Sequence, residues 1–145
     1  MDLFSSMRIS ASGLEAQTQR MNTISSNIAN AETAEAEEGG PYRRKDPVFV
    51  AESDRESFAE ILTNEMDEAV KGVRVSEIHQ DTRAPRLVYQ PNHQQANAEG
   101  YVAMPNINTV EEMANMISAQ RSYEANVTAM NAAKQMAQKA LEIGR

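Results

Sequence analysis

The sequence predicts a mainly α protein with a small β-rich insertion, its long N- and C-terminal helices pairing with each other as a coiled coil. Three observations predict it. Apolar residues recur every seven positions at both ends of the 145-residue chain. Between those ends the pattern changes to short β-branched runs bounded by Gly, Pro or Asp. Leu, Ile, Val and Phe together number only 25, about 17%, below the roughly 20% at which a highly charged chain stops building a self-sufficient core. The predicted units are residues 1–31, an N-terminal axial helix; 32–108, a hinge loop and small β-rich middle; and 109–145, a C-terminal axial helix. The two ends form one assembly unit.

The first helix is read over residues 3–31. Met7, Leu14, Met21 and Ile28 are spaced by seven, Leu3, Ala11, Ile24 and Ala31 lie beside them, and no proline occurs before Pro41. Gly13 interrupts this pattern at a cost of about 1 kcal/mol relative to Ala. It is either a tolerated weak spot or a point where two helix backbones approach closely.

The last helix is read over 109–141. Asn108 can cap it, with Glu111 at the capping-box spacing. Met116, Tyr123, Met130 and Ala137 follow at sevens, flanked by Val110, Met113, Ile117, Val127 and Leu141, and neither Pro nor Gly intervenes before Gly144. At about 1.5 Å per residue the two helices would span roughly 44 and 50 Å. Seams of matched length at opposite ends of one chain most simply pair with each other. The remaining helix faces are then left for neighbours.

In the middle, Pro47-Val48-Phe49-Val50, Gly72-Val73-Arg74-Val75-Ser76 and Leu87-Val88-Tyr89 read as strands. Residues 53–70 fit a helix opened by Ser53 and Glu56, although Phe58 to Leu62 also fit a strand; the helix is preferred. Residues 32–46 and 79–108 read as loops.

Charge and composition exclude several classes of function. Fourteen basic against 21 acidic residues give a net charge of −7, all of it in the middle, because both ends sum to zero. That balance argues against non-specific attachment to nucleic acid or an anionic membrane. No apolar run exceeds four residues, so neither a membrane span nor a signal peptide with an apolar centre is expected. The absence of Cys excludes disulfides, cysteine zinc sites and thiol catalysis.

A search for catalytic chemistry finds little. His79 and His93 lack partners at metal-binding spacings, and Gly39-Gly40-Pro41 lacks the lysine and preceding strand of a phosphate loop. The four Glu between 32 and 38 lack the spaced oxygen ligands of a cation site. No catalytic residue, cofactor or metal is expected. Arg43-Arg44-Lys45 is read as a partner for the protein's own or a neighbour's acids rather than for nucleic acid. Asn126-Val127-Thr128 matches a glycosylation acceptor and is discarded because Val127 lies on the predicted seam. The methionines at helical spacing are read as packing.

Wording at both ends adds a resemblance. Ser10-Ala11-Ser12-Gly13-Leu14-Glu15-Ala16-Gln17, then Met21-Asn22, Ile24-Ser25 and Asn27-Ile28-Ala29-Asn30, resembles the N-terminal signature of bacterial flagellar rod and hook proteins. Gly40-Pro41-Tyr42-Arg43-Arg44-Lys45, Asn97 to Asn106, Glu112 to Ile117 and Arg121 to Asn126 resemble the proximal-rod C-type branch of that family. The chain departs from the family pattern at Ala31 to Glu38 and at Asn92-His93-Gln94-Gln95, and residues 51–70 are longer and more acidic than usual. The resemblance implies a non-enzymatic structural subunit of the basal-body proximal rod. It implies passage unfolded through the flagellar type III export apparatus without a cleaved signal peptide, and helical assembly in the rod across the periplasm. The implied partners are copies of the chain, other flagellar rod proteins, the inner-membrane ring base and the export apparatus, with no direct membrane insertion. The alternative reading is a soluble coiled-coil secretion chaperone or adaptor.

The residues expected at the helix seam are Met7, Leu14, Met21, Ile28, Met116, Tyr123, Val127 and Met130. Asn27, Asn30, Arg121, Glu124 and Asn126 are expected to make polar contacts between subunits. The helical ends are expected to be loosely structured until assembly orders them.

Overall fold

A computed structural model describes residues 3–36, 39–52 and 72–143. In chain order the elements are α1 (Leu3–Ala29), β1 (Lys45–Glu52), β2 (Gly72–Gln80), β3 (Arg86–Tyr89), β4 (Tyr101–Met104) and α2 (Thr109–Ile143). Among the described residues no helix is long and apolar enough to cross a membrane.

α1 is rich in Ser and Thr, which compete with helix unless their hydroxyls are occupied. Here they bond back along the helix: Ser10 Oγ donates to the Ser6 carbonyl at 3.0 Å and Thr23 Oγ1 to that of Gln19 at 2.9 Å. Both residues are thereby buried without an orphaned hydroxyl. α2 is capped by Asn108, whose Oδ1 accepts from the Val110 N–H at 3.1 Å.

The helices pack along each other and run antiparallel. Gly13 of α1 lies against Asn126 of α2, and Asn27 bonds Glu112, so a step up one helix is a step down the other. This alignment sets the start of α2 beside the end of α1. At the far end α2 continues for about seven residues, or about 10 Å, beyond Leu3.

An adjacent face of α1 carries the β1–β2 hairpin. β1 leaves the C-terminal end of α1 at Lys45 and runs back along it. β2 returns antiparallel, with Lys45 opposite Gln80, Glu52 opposite Gly72, and a bulge at Val48/Phe49. The Val73 N–H donates to Ser12 Oγ at 3.1 Å, which ties the tip side of the hairpin to the middle of α1. β3 and β4 form a second two-stranded ribbon, with Val88 opposite Val102 and Tyr89 opposite Tyr101. Val102 and Met104 are buried on one side of this ribbon, while Leu87, Tyr89 and Tyr101 are exposed on the other.

Both terminal helices and the three expected strands are present, and the strands are longer than read. The loop expected over 79–108 is a correction: β2 extends through His79 and Gln80, and Tyr101–Met104 is a strand. Gly100, with φ of +82°, makes the turn that brings Tyr101 back beside Tyr89. The helix read at 53–70 lies outside the described residues. Among the described residues the buried apolar ones are few, Ala16, Ala31, Ala119 and Ala133 beside Ile24, Val102, Met104 and Ile107, as expected for a core-poor chain.

Candidate assembly interface

The seam between α1 and α2 has two classes of position. Met7, Leu14, Met21 and Ile28, and Met116, Tyr123, Val127 and Met130, are all half-buried along it. The deepest positions lie between them and, apart from Ile24 on α1, carry small or polar side chains: Ser10 and Asn27 on α1, and Glu112, Ala119 and Ala133 on α2. Glu112, Ala119, Asn126 and Ala133 are themselves spaced by seven. Small residues there let the helices approach closely. A Cβ added to Gly13 would stand 2.9 Å from Asn126 Nδ2 and 3.1 Å from its Cγ, so the glycine is a point of close approach. Among the described residues, one buried side-chain polar atom lacks a partner, Gln17 Oε1, also on this seam.

At the junction of α1, β1 and α2 the polar groups converge. Glu112 is 1% exposed, in the first turn of α2, where the helix dipole favours a negative charge. Its Oε1 accepts from Arg44 Nε at 2.8 Å and its Oε2 from Asn27 Nδ2 at 3.0 Å. Asn27, fully buried, also donates to the Lys45 carbonyl at 2.8 Å, while its Oδ1 accepts from the Lys45 N–H at 2.9 Å and the Tyr42 hydroxyl at 3.2 Å. Every polar atom of the Asn27 amide is used. Arg44 also bonds Asp46 at 3.2 Å. Burial opposes its charge, but Glu112 and Asp46 outweigh that and hold its pKa above the ordinary arginine value. The Arg44 carbonyl accepts from the Asp81 N–H at 2.8 Å, which continues the network to the end of β2.

The polar candidates therefore divide. Asn27 and Asn126 are turned into the chain's own helix pair, and Asn30 bonds the Ser26 carbonyl and Thr33. Arg121 and Glu124 are exposed on the side of α2 away from the seam. The same side carries Val110, Met113 and Ile117, exposed by 73%, 54% and 52% and spaced as one helical stripe. Sequence reading missed Glu112, because a Glu in a first helical turn ordinarily faces water. The signal was the basic triplet Arg43-Arg44-Lys45, whose expected acid partner is this residue.

This is a surface built for packing, without a convergent nucleophile, base and oxyanion set among the described residues. A thin helix pair with its outer apolar faces bare is the architecture of a polymer subunit. The profile described as "Flagella basal body rod protein" matches residues 7–35, and that described as "Flagellar basal body rod FlgEFG protein C-terminal" matches residues 98–143. A Bacillus subtilis protein called flagellar basal-body rod protein FlgC is 49% identical over the whole of both chains. Proteins of that description from Borreliella burgdorferi and Escherichia coli O157:H7 are 41% and 39% identical over 98% or more of each chain. The chain belongs to the flagellar basal-body rod protein FlgC family, and it is a structural rod subunit of the flagellar basal body, not an enzyme.

Proposed function

We propose that the chain is a building block of the proximal rod, joined to copies of itself and to other rod proteins through its terminal helices. In this reading the α1–α2 pair acts as an antiparallel coiled coil forming part of the wall of a helical tube that crosses the periplasm. The chain reaches that site unfolded, through the flagellar type III export apparatus, and the base of the tube meets the inner-membrane ring and that apparatus. The observation that carries this is the bare apolar surface of the pair. Val110, Met113 and Ile117 form an uncovered stripe, and Phe4, Met136 and Leu141 are 73%, 60% and 75% exposed near the opposite end. Large apolar side chains contribute roughly 1.5–3 kcal/mol each when fully buried, so neighbouring subunits gain by covering them.

The Glu112 network anchors the pair at one end. In this reading the far end, beyond Leu14 and Asn126, is the part that orders on joining the rod, and protease should cut a dilute monomer there first. Resistance of residues 130–143 in a verified monomer contradicts that coupling. The assembly itself is tested by fractionating a tagged chain. A rod subunit co-sediments with purified basal bodies, whereas recovery only as a soluble dimer means a chaperone or adaptor and overturns the proposal.

A further inference from the structure

The periodic seam leaves a choice of alignments. Large residues on α1 (Met7, Leu14, Met21, Ile28) and on α2 (Met116, Tyr123, Met130) repeat every seven. Sliding one helix past the other by seven residues returns these large residues to equivalent places along the seam. Apolar patterning alone therefore does not distinguish the observed alignment from its two neighbours.

Two features do not repeat. Gly13 is the single glycine in α1, and Asn126 packs onto it at a distance that a Cβ would close to 2.9 Å. After a slide of seven, Asn126 faces Arg20 in one direction and Ser6 in the other, and both have the Cβ that Gly13 lacks. Glu112 is buried where Asn27 and Arg44 both reach it, and Asn27 is fixed to the Lys45 backbone by two bonds. Either slide parts Glu112 from Asn27, leaving buried polar groups without partners, which costs far more than the apolar contacts lose. A polar residue at one seam position is a known means of fixing helix alignment.

We propose that the Gly13–Asn126 notch and the Glu112–Asn27–Arg44 cluster select a single alignment of α1 on α2 from alternatives related by seven residues. The alignment in turn sets how far α2 projects past α1, since each slide moves that projection by about 10 Å. A wrongly aligned subunit would present its outer stripe and its projecting end at the wrong height to a neighbour.

The chain has no cysteine, so engineered pairs report the alignment without background. In the full-length chain, Gln17→Cys with Ser122→Cys continues the observed alignment by one turn from Gly13 and Asn126. Gln17→Cys with Ala129→Cys, and Ser10→Cys with Ser122→Cys, report the two slides. Oxidised disulfide yield on non-reducing gels is the readout. In the otherwise native chain the 17/122 pair should dominate. Adding Gly13→Ala and Glu112→Leu should raise the yield of a slid pair relative to 17/122 by roughly ten-fold, the scale set by one buried polar group losing its partner. Returning Glu112 and adding Asn126→Gly, which opens the notch from the other side, should restore 17/122. The proposal is overturned if the yield of slid pairs relative to 17/122 is unchanged in the altered chain, or if slid pairs are already abundant in the native one. Comparable yields of the three pairs in the altered chain are what the proposal expects at its limit, since the remaining spacing does not choose among the alignments. Failure of every pair also refutes it.

Discussion

Removing Arg44 should destabilise the chain more than removing Glu112, although the two share one ion pair. Arg44→Ala leaves the Glu112 carboxylate, 1% exposed, with Asn27 as its remaining partner. Breaking a buried pair in this way costs about 3–5 kcal/mol, and Asn27 together with the α2 N-terminus places the loss near the lower figure, about 3 kcal/mol. Glu112→Leu removes the buried charge itself. Arg44 is then 21% exposed or more, still bonded to Asp46 at 3.2 Å, and able to reach water. The cost is that of the lost bonds, about 1–2 kcal/mol. The double change should cost less than the two single changes added, because neither charge is then stranded. Urea unfolding of the full-length chain, followed by far-ultraviolet circular dichroism, measures all three. The reasoning is refuted if Glu112→Leu costs as much as Arg44→Ala, or if the two effects simply add.

Three further outcomes are expected. Val127→Asp puts a charge on the half-buried flank of the seam at a cost of several kcal/mol; motility should be lost at normal protein levels, and unchanged swimming would remove that face from the assembly. Arg83 donates to Asp81 from its backbone N–H at 2.9 Å and from Nε at 2.7 Å, which holds the Asp81 pKa down from 3.8 to about 2. A carboxyl depressed on folding stabilises the fold above its unfolded pKa, and that contribution fades as pH falls through 3.8 towards 2. Asp81→Asn should flatten this part of the acid-unfolding profile, and an unaltered profile counts against the pairing. Gly100→Ala forces a side chain into a left-handed conformation and brings its Cβ within 2.8 Å of Tyr89 Cε2, which should cost about 1–3 kcal/mol. The near-ultraviolet signal of the edge-to-face Tyr89–Tyr101 pair, centroids 5.3 Å apart, should weaken, and its persistence would show that the turn tolerates a side chain.

What could be read from the sequence follows from which residues announce themselves. The sevens in Met7 to Ile28 and Met116 to Ala137 mark both helices because long apolar side chains at that spacing have few other uses. The strands around Val48, Val73 and Val88 are marked by branched residues between turn formers. Tyr101–Met104 reads as loop because Ala103 and Met104 are poor strand formers and a stretch rich in Asn, Pro and Gln precedes them. It becomes a strand through pairing with Arg86–Tyr89, a non-local cause. At the seam, a search for large apolar residues finds the half-buried flanks and passes over Ser10, Ala119 and Ala133, which are small, and Asn27 and Glu112, which are polar. Those residues are buried because two backbones meet there, and a single helix's pattern does not contain its partner.

The helix pair has unlike extremities. One is closed by charge and amide groups satisfied within the molecule, and at the other α2 projects past Leu3 and exposes Leu141. If copies join end to end as proposed, the closed end of one can meet the projecting end of the next. Such a join uses two different patches, so it does not cap itself after two members and can continue indefinitely. In the proposed assembly, filament polarity would then follow from the asymmetry of a single subunit.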